Sequence, residues 1–105
     1  MVRKIYSISA LVLMCIVMVI SCGSAPVQND LGKTIFEQKC ALCHGLNGEK
    51  QLSGAMKLSE SKSSVAEVIE LVTNGRKQMM AFKGRLSPEE IKAVSEYAVT
   101  FQKKN

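Results

Sequence analysis

Cys40-Ala41-Leu42-Cys43-His44 sets two thiols three positions apart and puts the chain's only histidine directly after the second. That spacing attaches haem covalently. On one turn of helix followed by a tight bend, the two sulfurs reach the two vinyl-derived carbons on one edge of a porphyrin, and the adjacent imidazole is carried under the plane to bind iron. In this reading Cys40 and Cys43 hold the ring and His44 holds the metal. A bare Cys-x-x-Cys has two other uses, half of a zinc site or a thioredoxin-like redox pair. Zinc wants four ligands, yet the two other cysteines, Cys15 and Cys22, lie in an apolar N-terminal segment. A redox pair belongs at a strand-to-helix turn, and no alternation of strands and helices surrounds this motif. Covalent haem is the chemistry these residues favour.

The chain that must position them opens with Met1-Val2-Arg3-Lys4 and an apolar run from Ile8 to Ile20 broken only by Ser9. Two positive charges, an apolar core too short for a comfortable membrane span, and the small residue Ser21 read as an export signal over residues 1–21. Val19-Ile20-Ser21-Cys22 resembles the lipobox of bacterial lipoproteins, in which the cysteine becomes the lipidated first residue of the mature chain. The resemblance implies that Cys22 is a membrane anchor, not a ligand, and that Cys15 leaves with the signal. The alternatives are a cleaved signal with an incidental cysteine and an uncleaved anchor helix. All three place the domain outside the cytoplasm, on the periplasmic side, a setting that suits covalent haem.

Residues 22–30 read as a lipidated tether, since Gly23 to Asp30 is small and polar with Pro26 inside it. Fully extended, those residues reach on the order of 28 Å at about 3.5 Å each. Residues 31–105 then form one small domain with no tryptophan, three phenylalanines and a single tyrosine, Tyr97. A domain of this size gains only roughly 3 to 5 kcal/mol from apolar burial, so a large flat apolar cofactor would serve as its missing centre. The haem-free chain is expected to be largely unfolded.

The elements read as helices throughout. Gly32 to Cys40 has no internal breaker and delivers the cysteines from a short helix, with Asp30 as its cap. Gly45, Asn47 and Gly48 enforce an irregular loop that continues through Gln51, Ser53 and Gly54 to the serines at 59, 61, 63 and 64. Val65, Val68, Ile69 and Val72 fall at i, i+3, i+4 and i+7, with Ser63 or Ser64 at the start and Asn74-Gly75 at the end. Ser87-Pro88-Glu89-Glu90 combines a serine cap, proline at the first helical position and a glutamate three after the cap. Ile91, Val94, Ala98 and Phe101 then form one apolar stripe. The expected fold is all-α, about three helices wrapped around one haem.

Gly32 and Phe36 precede Cys-x-x-Cys-His-Gly, Asn74-Gly75 stands ahead of Met79, and Phe82, Gly84, Leu86-Ser87-Pro88-Glu89-Glu90-Ile91 and Tyr97-Ala98 follow. In this order the residues resemble a small bacterial class I c-type cytochrome over nearly the whole mature chain. The resemblance implies that the first and last helices cross, with Gly32 and Phe36 against Tyr97 and Ala98. It also implies single-electron transfer on one covalent haem c as the activity and a methionine as second axial ligand. Catalysis is not implied, since no acid, base or open metal position is marked beyond the haem itself.

With the one histidine assigned, thioether suits low-spin iron and raises its potential relative to two histidines. Met56, Met79 and Met80 remain after processing. The family pattern, Met-Pro-x-Phe soon after a helix-ending glycine, fits Met79-Met80-Ala81-Phe82 with Met80 in the proline position, so Met79 is the favoured ligand and Met80 the alternative. Met56 reads as packing against haem. Both members of the Met79-Met80 pair could also pack, leaving iron five-coordinate. One departure stands out. Relatives use a proline carbonyl to accept the outer N–H of the ligating histidine, whereas this chain has no proline between Pro26 and Pro88. A backbone carbonyl near Ser53 to Met56 could substitute, and the sequence does not choose among them.

The formal charge of +5 falls to +3 without Arg3 and Lys4, and two ionised propionates would lower it to about +1, which excludes a case for nucleic acid. Arg76, Lys77, Lys83 and Arg85 flank the proposed ligand loop with no acidic residue between them. They are either a basic rim that steers an acidic redox protein or an ordinary solvated loop. The expectation is a monomeric, lipid-tethered carrier. Its rivals are a haem sensor or gas-binding protein with a labile sixth ligand, and a fixed haem subunit of a larger oxidoreductase.

Overall fold

The structure, a computed structural model, describes residues 27–103 and the isolated positions Ala10, Val12 and Leu13. The rest of the predicted signal segment, with Cys15, and the lipidation position Cys22 lie outside the described residues, as does the tether up to Pro26. No helix among the described residues is long and apolar enough to cross a membrane.

Within residues 27–103 four helices follow in order: α1 (Val27–Lys39), α2 (Ala41–His44), α3 (Val65–Asn74) and α4 (Pro88–Val99), with single 3₁₀ turns at Leu52–Gly54 and Leu58–Glu60. Among the described residues there is no strand; only two isolated bridges occur, Arg76 with Met79 and Lys83 with Leu86. The all-α expectation therefore holds.

The first helix differs from its predicted bounds. It opens at Val27, so it takes in the last four positions assigned to the tether, and Asp30 sits inside its first turn rather than capping it. The cause is local: nothing between Pro26 and Cys40 breaks a helix, and an acidic side chain in the first turn favours the helix dipole there. The other two long helices start where their local signals put them, and α3 stops before Gly75; α4 ends at Val99, so Phe101, the last member of the predicted apolar stripe, lies in the turn beyond it. Ser64 Oγ accepts from the Glu67 N–H at 3.3 Å while Glu67 Oε2 accepts from the Ser64 N–H at 2.7 Å. Ser87 and Glu90 repeat the arrangement at 3.2 and 2.7 Å. Each box satisfies two backbone donors that a helix start leaves unpaired.

Packing follows from these faces. The core consists of Ile35 and Phe36 from α1, Val72 from α3, Ile91 and Val94 from α4, and Phe82 from the loop between the last two helices. Burying each such side chain contributes about 1.5–3 kcal/mol. Helix α1 crosses α4 as the family resemblance implied, with α3 laid against α4. At the crossing Phe36, Tyr97 and Phe101 form a closed aromatic triad with centroid separations of 5.4, 5.0 and 5.3 Å. Tyr97 and Phe101 meet edge to face, an arrangement aromatic quadrupoles favour.

Candidate functional site

Cys40 interrupts the path from α1 into α2. Its N–H still donates to the Phe36 carbonyl at 2.9 Å, and its own carbonyl accepts from both Cys43 and His44, at 3.2 and 3.0 Å. The Cys-x-x-Cys-His stretch is thus one helical turn, closed by Gly45 at φ 78°. A β-carbon at Gly45 would lie 2.9 Å from the β-carbon of Lys50, on the return of the loop, so glycine is required there on two grounds. Both cysteines are free thiols and are not joined to each other. Burial, and then the neighbouring Cys43, push the Cys40 thiol up from 9.0 to about 11. A reactive redox dithiol carries a depressed thiol pKa, so Cys40 lacks that signature. No cluster of three or more His, Cys, Asp or Glu side chains suited to a metal ion occurs among the described residues.

His44 Nδ1 lies 3.2 Å from the carbonyl oxygen of Met56. A carbonyl only accepts, so Nδ1 carries the proton and Nε2 keeps its lone pair for a metal. The acceptor falls within the stretch Ser53 to Met56 that the missing proline pointed to. Sequence reasoning assigned Met56 a packing side chain; its main chain supplies the bond. The loop that carries it runs from Gly45 back past Lys50, whose N–H donates to the His44 carbonyl at 2.8 Å, and through Leu58, whose N–H donates to Gly48 at 2.8 Å. Leu52 and Met56 expose large apolar side chains along this loop, surface that suits a flat apolar group.

The methionine pair sits on the loop after α3. Gly75 ends that helix at φ 73°. Arg76 and Met79 exchange N–H···O bonds at 3.0 and 2.9 Å around Lys77, which itself adopts φ 52°. The chain then doubles back: the Phe82 N–H donates to the Val72 carbonyl at 3.0 Å and the Lys83 N–H to Thr73 at 3.1 Å. These bonds satisfy carbonyls at the end of α3 and press Phe82 into the core. Consequently the two methionines diverge. Met79 is half-buried against the core, whereas Met80 is 56% exposed with its sulfur 3.6 Å from Arg85 Nη1. Gln38 and Lys39 at the end of α1 face Met80, Phe82, Arg85 and Leu86 across a cleft of about 450 Å³.

The donor set fits covalent haem: two unpaired thiols on one turn, an imidazole whose Nδ1 is held by a backbone carbonyl so that Nε2 is left free, and thioethers on a second loop. Bound there, haem supplies a one-electron iron couple. The Met56 carbonyl would orient the imidazole, and Cys40 and Cys43 would hold the ring.

Residues 27–97 match the family described as cytochrome C oxidase, cbb3-type, subunit III. Cytochrome c6 of Nostoc sp. (strain PCC 7120 / SAG 25.82 / UTEX 2576) is 34% identical over 104 residues, covering 92% of this chain and 92% of its own. Among solved structures, the KustC0563 c-type cytochrome superposes with a TM-score of 0.62 at 33% identity, over 69% of this chain and 98% of its own. Cytochrome c6C from Synechococcus sp. PCC 7002 does so with a TM-score of 0.59 at 38% identity, over 67% and 92%. With its Cys-x-x-Cys-His turn, its crossing first and last helices and these relatives, the chain belongs to the c-type cytochromes, as a small monohaem electron-transfer protein of class I with covalently bound haem c.

Proposed function

We propose that His44 and Met79 are the two axial ligands of the iron, and that the protein shuttles single electrons outside the cytoplasm while tethered to a membrane through lipidated Cys22. The hydrogen bond from His44 Nδ1 to the Met56 carbonyl carries the ligand reading, because it leaves Nε2 as the nitrogen open to iron. Met79 is the half-buried member of its pair, and Met80 is turned to Arg85. A histidine and a methionine together favour a firmly held, low-spin iron suited to electron carriage rather than gas binding. The lipid tether is supported by Val19-Ile20-Ser21-Cys22.

The partner is an acidic redox protein. Arg76, Lys77, Lys83 and Arg85 are exposed, and none of them forms an ion pair among the described residues, where only Lys33–Glu37 and Lys92–Glu96 do. Uncompensated charge of one sign beside the ligand loop raises the encounter rate with a surface of the other.

The test is the visible spectrum of the reduced holoprotein before and after carbon monoxide. An unchanged spectrum in the parent and in Met80→Ala, with a shifted band in Met79→Ala, is the expected pattern. A shift in the parent would put the sensor reading ahead, and a shift only in Met80→Ala would transfer the ligand role. Cys22→Ser is expected to move the protein from the membrane to the soluble fraction. The name of the matching family, an oxidase subunit, keeps a fixed-subunit reading in view. Stable co-purification of the parent with a larger oxidoreductase would favour it over a shuttle.

A further inference from the structure

We infer that the C-terminal residues Phe101, Gln102 and Lys103 position His44 from a distance, by clasping the loop whose Met56 carbonyl orients its ring. The inference rests on the reading of His44 as an iron ligand. The loop's own bonds are short-range turns and one strut: Ala55 N–H to Leu52 at 3.1 Å, Glu60 N–H to Lys57 at 3.1 Å, Ser61 N–H to Leu58 at 3.2 Å, Ser63 N–H to Ser61 Oγ at 3.3 Å, and Leu58 N–H to Gly48 at 2.8 Å. None of them includes Met56. Residues 59–63 are tied in addition to the far end of the chain.

Three contacts make the clasp. The Lys103 N–H donates to the Ser59 carbonyl at 3.2 Å. Gln102 Nε2 donates to the Ser63 carbonyl at 2.8 Å and reaches Ser61 Oγ at 3.4 Å, bonds that are partly shielded from water. Phe101 lies flat against the other limb of the loop, where a β-carbon on Gly48 would come within 3.1 Å of its Cγ and equally close to Leu58. Gly48 in turn accepts the Leu58 N–H. The post on which the clasp is mounted is rigid, since Phe101 belongs to the aromatic triad with Phe36 and Tyr97 at the crossing of α1 and α4. Movement of residues 57–63 away from this post would carry the Met56 carbonyl with it and lengthen the bond to His44 Nδ1. Gln102 is therefore a positioning residue, acting on the iron's histidine through main-chain atoms some 40 positions earlier in sequence.

Gln102→Glu isolates the effect. The variant keeps the side chain's size, removes both N–H donors and sets a carboxylate against the Ser63 carbonyl. Solvent exchange of the His44 Nδ1 proton, followed by NMR in the reduced holoprotein, should accelerate about three- to ten-fold, the range expected when one intramolecular hydrogen bond is lost. The reduction potential should move with it, because hydrogen bonding at Nδ1 sets the basicity of the ligating nitrogen. Ser87→Ala, which removes a helix cap remote from the loop, is the control for general loosening. Unchanged exchange and potential in Gln102→Glu would overturn the clasp, and so would equal acceleration in Ser87→Ala. In both cases His44 ring signals still displaced by the haem would leave the ligand reading standing. Signals at ordinary imidazole positions in the parent would remove that reading and the clasp together.

Discussion

Gly32 meets the backbone of Ala93 where α1 crosses α4. A β-carbon at Gly32 would overlap the Ala93 carbonyl oxygen, sit 2.8 Å from its carbonyl carbon and 3.0 Å from Tyr97 Cβ. The missing side chain is thus what lets the two helices approach closely enough to close the aromatic triad. Gly32→Ala sets two effects against each other. Helix propensity gains up to about 1 kcal/mol. Overpacking costs typically about 1–3 kcal/mol, and here the obstacle is main chain, which cannot rotate aside. The net expectation is a loss of about 1–2 kcal/mol, read as a lower denaturant midpoint of the holoprotein. An unchanged or raised midpoint would mean that the crossing can slide.

The loop that presents Met79 has a similar requirement. At Gly75, with φ 73°, a β-carbon would stand 2.7 Å from the Ala81 nitrogen and from the Met79 carbonyl oxygen. Gly75→Ala therefore carries the left-handed penalty of about 1–2 kcal/mol and also pushes on the residues that set the methionine. The expected result is weakened sixth ligation, seen as carbon monoxide binding to the reduced variant when the parent binds none. A variant with the parent's spectrum under carbon monoxide would show that the loop's position does not depend on this turn.

How far these features could be read beforehand depends on whether their cause is local. The caps at Ser64 and Ser87 and the stop at Gly75 are made by residues within four positions of one another, and the structure places both helices accordingly. The start of α1 was less legible because Val27 to Lys39 contains no breaker, so Asp30 was only one of several possible openings. The partner of His44 was legible only as a stretch: a carbonyl belongs to every residue, and its side chain gives no sign that it will be the acceptor. The divergence of Met79 from Met80 follows from the return of Phe82 onto Val72, a contact set by the chain's path. Gln102 near the chain end reads as a solvated side chain until the loop bearing Ser61 and Ser63 is brought beside it.

The four exposed cations around the proposed ligand loop lead to a salt dependence. Between about 0.01 M and 1 M ionic strength the screening length falls from roughly 30 to 3 Å, which removes attraction between exposed charges. The bimolecular electron-transfer rate with an acidic redox protein should fall about ten-fold or more over that range. Lys77→Gln combined with Lys83→Gln should lower the rate at low salt and leave the high-salt rate near the parent's. A flat dependence in the parent would dismiss steering and leave these residues as an ordinary solvated loop.

The capping box at α3 predicts an acid-sensitive contribution to stability. Glu67 is held below the ordinary carboxyl value of 4.5 by the Ser64 backbone N–H first and the Ser64 hydroxyl second. Its folded pKa lies below its unfolded one, so the ionised carboxylate stabilises the fold above the unfolded value, and that stabilisation is lost as the pH falls through the folded value. Glu67→Gln retains an oxygen acceptor for the Ser64 N–H but cannot titrate. Between neutral pH and pH 3 the parent should therefore lose more stability than Glu67→Gln, the two being compared by denaturant midpoint at each pH. Because the carboxylate is exposed, salt should shrink the difference without abolishing it, since the hydrogen bond to the backbone is short-ranged. Equal losses in the two proteins would place the acid sensitivity elsewhere in the fold.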